Sequence, residues 1–118
     1  MNAVPWPSEL RLTDKGKLLR VSFDDGASFD LSAEMLRVMS PSAEVQGHSA
    51  AERKLVAGKK NVAIMEIIPT GNYAVRLVFD DMHQTGIYTW TYLHELGTEA
   101  PRRWASYLGE IEAKGLKR

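Results

Sequence analysis

No cysteine occurs in the 118 residues, which excludes disulfides, thiolate nucleophiles, iron–sulfur ligation and all-cysteine zinc sites. It also fits a reducing compartment. There is no excess of either charge: 15 Lys and Arg balance 15 Asp and Glu, so the global cationic surplus that phosphate neutralisation needs is missing. No apolar run approaches the roughly 20 residues of a membrane-spanning helix. The stretch Met1–Leu10 carries two prolines and Glu9 and does not read as a secretory signal. Histidine is scarce, with only His48, His83 and His94, and none has the helical i, i+4 partner or carboxylate cluster of a metal site. Gly58-Lys59-Lys60 lacks the upstream glycine of a phosphate-binding loop. The expectation is a cytoplasmic, cofactor-free protein that contacts neither nucleic acid nor membrane.

What is present suits one folded domain over residues 1–118. Hydrophobic residues make up 44% and charged residues 25%, a globular balance in a chain long enough for one core. Glu9–Leu12 and Leu18–Phe23 read as strands joined by Thr13-Asp14-Lys15-Gly16, and Leu19, Val21 and Phe23 alternate with polar neighbours. Asp24-Asp25-Gly26 reads as a type I′ hairpin turn into a strand over Ala27–Leu31. Ser32 is placed to cap a helix from Ala33 to about Met39, with Leu31 and Leu36 at hydrophobic-staple spacing, and Pro41 stops it. Residues 40–60 read as a long polar segment, and Gly47 to Lys60 within it as the most mobile part of the domain and part of its contact surface. Its second half is basic through Arg53, Lys54, Lys59 and Lys60. Within it, Pro41-Ser42-Ala43-Glu44 has the form of a turn or short helix start capped by Ser40 or Ser42.

Val62–Ile68 is nearly all apolar and is expected to be a central strand. Pro69-Thr70-Gly71-Asn72 is a turn, Tyr73–Phe79 the partner strand, and Thr85–Thr89 a third strand after a turn at Asp80–His83. Trp90–Leu96 reads as a short helix ended by Gly97 as a left-handed cap, with Pro101 opening a separate last helix. Trp104, Tyr107, Leu108 and Ile111 form one apolar stripe on that helix, expected to pack in the core. Leu19–Gly26 echoes Val75–Met82, and each run precedes a strand and a helix. The expected fold is therefore α+β, with small, mainly antiparallel sheets from two strand-turn-strand-helix halves and a C-terminal helix.

Chemistry is sparsely written. His83 has Asp80 and Asp81 beside it as orienters, and Ser40 or Ser42 as the hydroxyls that would approach from elsewhere. Aspartates in such turns more often bond their own backbone. The pairs Asp24/Asp25 and Asp80/Asp81 point alternately and are better read as turn formers than as metal or acid–base sites. The expectation is that the chain is not an enzyme.

The run Gly71–Leu77, then Phe79-Asp80-Asp81, His83 and Thr85-Gly86-Ile87-Tyr88-Thr89-Trp90 with Tyr92-Leu93 resembles the bacterial family related to the N-terminal domain of γ-butyrobetaine hydroxylase. Phe23-Asp24-Asp25-Gly26, Leu36-Arg37 and Ser40-Pro41-Ser42-Ala43-Glu44-Val45-Gln46-Gly47-His48 fit it too. The resemblance spans about residues 9–96. It implies a small α+β module whose zinc is held by three cysteines after a Leu-Arg pair and by a later histidine. Those positions are Ser40, Ser42, Val45 and His83 in this chain, so only the histidine remains, and the domain is expected to fold without metal. The chain also has Met82 where the family often has glycine.

The resemblance implies that His83 lies beside Ser40 and Ser42, with His48 nearby. Related domains occur alone or fused to P-loop carriers of iron–sulfur assembly. The implied role is a non-catalytic protein-binding accessory module beside such a carrier, using Arg53, Lys54, Lys59 and Lys60 for contact. The alternative is a small-ligand or substrate-handling domain, or a self-association domain.

Overall fold

The computed structural model describes residues 5–47 and 54–118. His48 and Arg53, and the loop expectations that fall on residues 48–53, lie outside the described residues. The chain forms two three-stranded antiparallel sheets, each followed by a helix. The first sheet joins β1 (Pro7–Thr13), β2 (Leu18–Phe23) and β3 (Ser28–Ser32) and leads into α1 (Ala33–Val38). A single turn, α2 (Ala43–Gln46), precedes the second sheet. That sheet joins β4 (Ile64–Thr70), β5 (Ala74–Phe79) and β6 (Ile87–Thr89) and leads into α3 (Trp90–Ala113). The α+β reading from two similar halves holds. Among the described residues no helix is long and apolar enough to cross a membrane.

Alternation explains the packing. Leu19, Val21 and Phe23 of β2 and Val75, Leu77 and Phe79 of β5 are each at most 3% exposed and meet in one core with Leu31, Leu36, Tyr88, Leu93 and Leu96. A second cluster seats Tyr107 and Ile111 against Val38, with Trp104 and Leu108 beside them, so the α3 stripe is core packing as expected.

The sequence echo extends to the hydrogen bonds. Phe23 N–H donates to Ala27 O at 2.8 Å and Phe79 N–H to His83 O at 2.9 Å. Asp24 Oδ1 accepts from Trp6 N–H at 3.1 Å, as Asp80 Oδ1 does from Ala63 N–H at 3.1 Å. Asp25 Oδ1 accepts from Ala27 N–H, and Asp81 Oδ1 from His83 N–H. Ser32 caps α1 through Met35 N–H and Thr89 caps α3 through Tyr92 N–H. Each helix also reaches across to the opposite half's turn: Arg37 Nε donates to Asp81 Oδ2 at 2.8 Å, and His94 Nε2 lies 2.9 Å from Asp25 Oδ2. These crossed contacts tie the halves together.

Four local expectations change. Val62–Ile68 is not a central strand: β4 pairs only with β5, which is the central one. The Asp25-Gly26 turn is not type I′, since only Gly26 (φ 89°) takes positive φ there while the Asp25 side chain bonds Ala27 N–H. Gly97 does not cap a helix, and Pro101 does not open one. Both lie inside the continuous α3. Gly97 serves the packing instead, because a Cβ there would come within 2.3 Å of the Phe29 ring. The true end is at Gly115 (φ 66°), where Leu116 N–H reaches Ile111 O and Gly115 N–H reaches Glu112 O, a Schellman motif.

Candidate functional site

Three segments converge at the junction of the halves: the end of α1, the α2 turn and the Asp80–His83 turn. Pro41 ends α1 and leaves Ser40 in a tight corner, completely buried. Ser42 caps α2, its Oγ accepting from Glu44 N–H at 3.2 Å, which directs Glu44 back toward the turn. His83 follows the turn into the interior and is 5% exposed.

Ser40 Oγ lies 2.9 Å from His83 Nε2, and Glu44 Oε2 lies 3.1 Å from His83 Nδ1. A carboxylate only accepts, so Nδ1 carries the proton and Nε2 accepts from the Ser40 hydroxyl. Burial, then the nearby Arg37 guanidinium, lower the His83 pKa against the pull of Glu44 and Asp81, keeping the imidazole neutral near pH 7. Ser40 Oγ in turn accepts from Ser42 N–H, Gln46 Nε2 donates to Ser40 O, and Ser42 Oγ lies 2.6 Å from Thr85 Oγ1. On the other side of the turn, Asp81 Oδ2 receives Arg37 Nε at 2.8 Å and Lys59 Nζ at 2.6 Å. Burial opposes ionisation of Asp81, but Lys59, the His83 N–H and Arg37 outweigh it and hold its carboxyl at about 2. Arg37 Nη1 is buried without a hydrogen-bond partner among the described residues.

His83, Ser40 and Ser42 therefore come together, as the resemblance implied. The residue that sequence reasoning missed is Glu44. In the sequence it reads only as part of a helix start, with Asp80 and Asp81 the nearer orienters; the Ser42 cap that turns Glu44 toward His83 is the available signal. Serine, histidine and carboxylate stand in the order of a hydrolytic triad. The serine is closed off, however: it is 0% exposed, and a Cβ on Gly86 would come within 2.5 Å of its Oγ. That hydroxyl therefore presents no surface to a substrate carbonyl in this conformation.

A structural zinc ion does not fit here either. Both imidazole nitrogens and both serine hydroxyls are engaged, Val45 is an apolar side chain 2% exposed, and the described residues hold no cluster of three His, Cys, Asp or Glu able to take a metal. Of the basic residues, Lys54 and Lys60 are exposed, while Lys59 is turned inward onto Asp81. Beside the site an open groove of about 520 Å³ runs between α1 and α3, floored by Met39, Leu55, Val56 and Tyr107 and edged by Arg102 and Arg103.

The family model described as "Gamma-butyrobetaine hydroxylase-like, N-terminal" matches residues 10–94. A protein solved by NMR in solution is 44% identical, with a TM-score of 0.85, covering 98% of this chain and 91% of its own. A second NMR solution structure is 46% identical, with a TM-score of 0.83, covering 100% of this chain and 90% of its own. A crystal structure of a DUF971-family protein of unknown function from Acidithiobacillus ferrooxidans ATCC 23270 is 38% identical, with a TM-score of 0.65 and coverage of 77% and 91%. No curated protein matches the chain.

Proposed function

The chain belongs to the γ-butyrobetaine hydroxylase-like N-terminal family, and from that premise we propose that it is a non-catalytic accessory module that binds another protein, a P-loop carrier of iron–sulfur assembly. The observation that carries the negative half is the closed state of the polar cluster. Ser40, His83 and Glu44 bond one another around a hydroxyl with no exposed surface. Such a cluster holds the α1–α2 corner against the second half's turn and so fixes the surface above it. The positive half rests on the family's association with carriers and on what remains outside: the exposed Lys54 and Lys60, and the groove edged by Arg102 and Arg103. Exposed cations of this kind steer an acidic partner and lose strength as salt rises.

The test is capture of a purified P-loop iron–sulfur carrier on the immobilised domain. Capture should fall with salt and fall further for Lys54→Glu/Lys60→Glu, which leaves the fold intact. Failure to retain the carrier at low salt removes the partner reading. Esterase turnover abolished by Ser40→Ala would remove the non-catalytic one.

A further inference from the structure

The two halves provide an internal control for each other's outer sheet faces. Across the first sheet one row reads Arg11, Arg20, Asp30; the equivalent row of the second reads Ile68, Arg76, Ile87. In the next row Glu9 faces Ser22 in the first half, while Glu66 faces Val78 in the second. The bulged residue between the first two β1 and β4 pairings is Ser8 in one half and Met65 in the other. The positive-φ turn position is Gly26 in one and Met82 in the other. Wherever these positions differ in character, the first half is polar or bare and the second is apolar. Ile87, Met65 and Met82 are 42%, 66% and 81% exposed. The fold does not demand an apolar face at these positions, because the first half builds the same sheet without one.

The charges say what fits the face. In the first half Arg20 pairs with Asp30 at 2.8 Å and Arg11 with Glu9 at 2.5 Å. Their counterparts Arg76 and Glu66 keep the charge, but the residues that would neutralise them have become Ile87 and Ile68. Arg76 donates only to the Gln84 carbonyl and side chain, and Glu66 has no ion-pair partner among the described residues. One unneutralised cation and one unneutralised anion on a single apolar face are complementary to the same face turned through a two-fold axis. We infer that the outer face of β4-β5-β6 is a self-association surface. Two copies pack Ile68, Val78 and Ile87 together, and Arg76 of each meets Glu66 of the other.

Strands β4 and β5 run about 20 Å and the three-residue β6 about 10 Å, spaced about 4.8 Å apart, so each copy offers a face of roughly 250 Å² and the pair buries on the order of 500–700 Å². Interfaces of that size are weak and reversible, with dissociation constants in the micromolar range or above. This inference does not depend on the carrier reading, which uses other residues.

Analytical ultracentrifugation from about 10 µM to about 1 mM tests it. The wild type should show concentration-dependent dimerisation. Ile87→Asp, which copies the first half's own residue, should raise the dissociation constant at least about tenfold with an unchanged circular dichroism spectrum. Glu66→Arg should weaken the dimer, and Glu66→Arg/Arg76→Glu should restore it to within about threefold of wild type. A wild type monomeric at about 1 mM overturns the inference and leaves the face to a different protein. Dimerisation untouched by Ile87→Asp, or no recovery in the charge-swapped pair, also overturns it.

Discussion

Replacing Asp81 by Asn removes the charge that, among the described residues, neutralises Arg37 and Lys59 where the halves meet. The carboxylate is 19% exposed, takes both cations through Oδ2, and is held at about 2 rather than the ordinary 3.8. That depression corresponds to roughly 2.5 kcal/mol of native stability at neutral pH. Asn still accepts the His83 N–H, so the turn survives, but Arg37 becomes a largely buried cation with neither its ion pair nor a partner at Nη1. Asp81→Asn should therefore cost about 2–3 kcal/mol in urea unfolding at pH 7, a fall of roughly 10–15 °C in Tm for a chain of this size.

The pH dependence separates this from a packing defect. The folded pKa lies below the unfolded one, so the contribution is complete above about 4 and is lost as pH falls through about 2. The gap between wild type and Asp81→Asn should narrow from about 2.5 kcal/mol at pH 7 to about 1.3 at pH 3 and about 0.4 at pH 2. The other depressed carboxylates are common to both proteins and cancel. A loss below about 0.5 kcal/mol at pH 7, or a gap that stays constant down to pH 2, would refute the reasoning.

Met82→Gly should stabilise the domain by about 0.5 kcal/mol in dilute solution. It relieves roughly 1–2 kcal/mol of left-handed strain at φ 75° against a gain in unfolded-chain entropy, and equal or lower stability contradicts this. Gly97→Ala should cost about 1–2 kcal/mol, since the clash with Phe29 exceeds the helix-propensity gain of about 1 kcal/mol; a more stable variant would show that the ring moves freely. The His83 ring should stay neutral in an NMR titration down through its ordinary pKa, its folded value being depressed. The matching stability is complete above about 6.5 and lost as pH falls, so a ring protonated at pH 7 contradicts the assigned tautomer.

The strands, their inward faces and the Ser32 cap of α1 were legible because each is written locally, in period-two alternation before a capping serine. Strand order was not. Val62–Ile68 is apolar enough for a central strand, but its position depends on β6 returning to β5, a pairing that no local pattern encodes. Gly97 and Pro101 misled for a related reason. Their spacing spells a helix end followed by a helix start, yet the buried Phe29 contact keeps the helix continuous and uses the glycine for closeness rather than for its φ. At the site, Ser40, Ser42 and His83 were assembled through family resemblance. Glu44 was missed because its role depends on three segments meeting, and Lys59 looked like free surface until the fold placed Asp81 against it.

The most direct test of the accessory role is a ¹⁵N chemical-shift titration of the labelled domain with an unlabelled P-loop iron–sulfur carrier, run at low and high salt. The account predicts saturable shifts confined to the Lys54–Lys60 segment and the Arg102–Arg103 edge of α3. They should weaken as salt rises, while the Ser40 and His83 signals keep their positions. A spectrum unchanged at tens of micromolar carrier, or shifts centred on Ser40 and His83 with the basic segment silent, would contradict it.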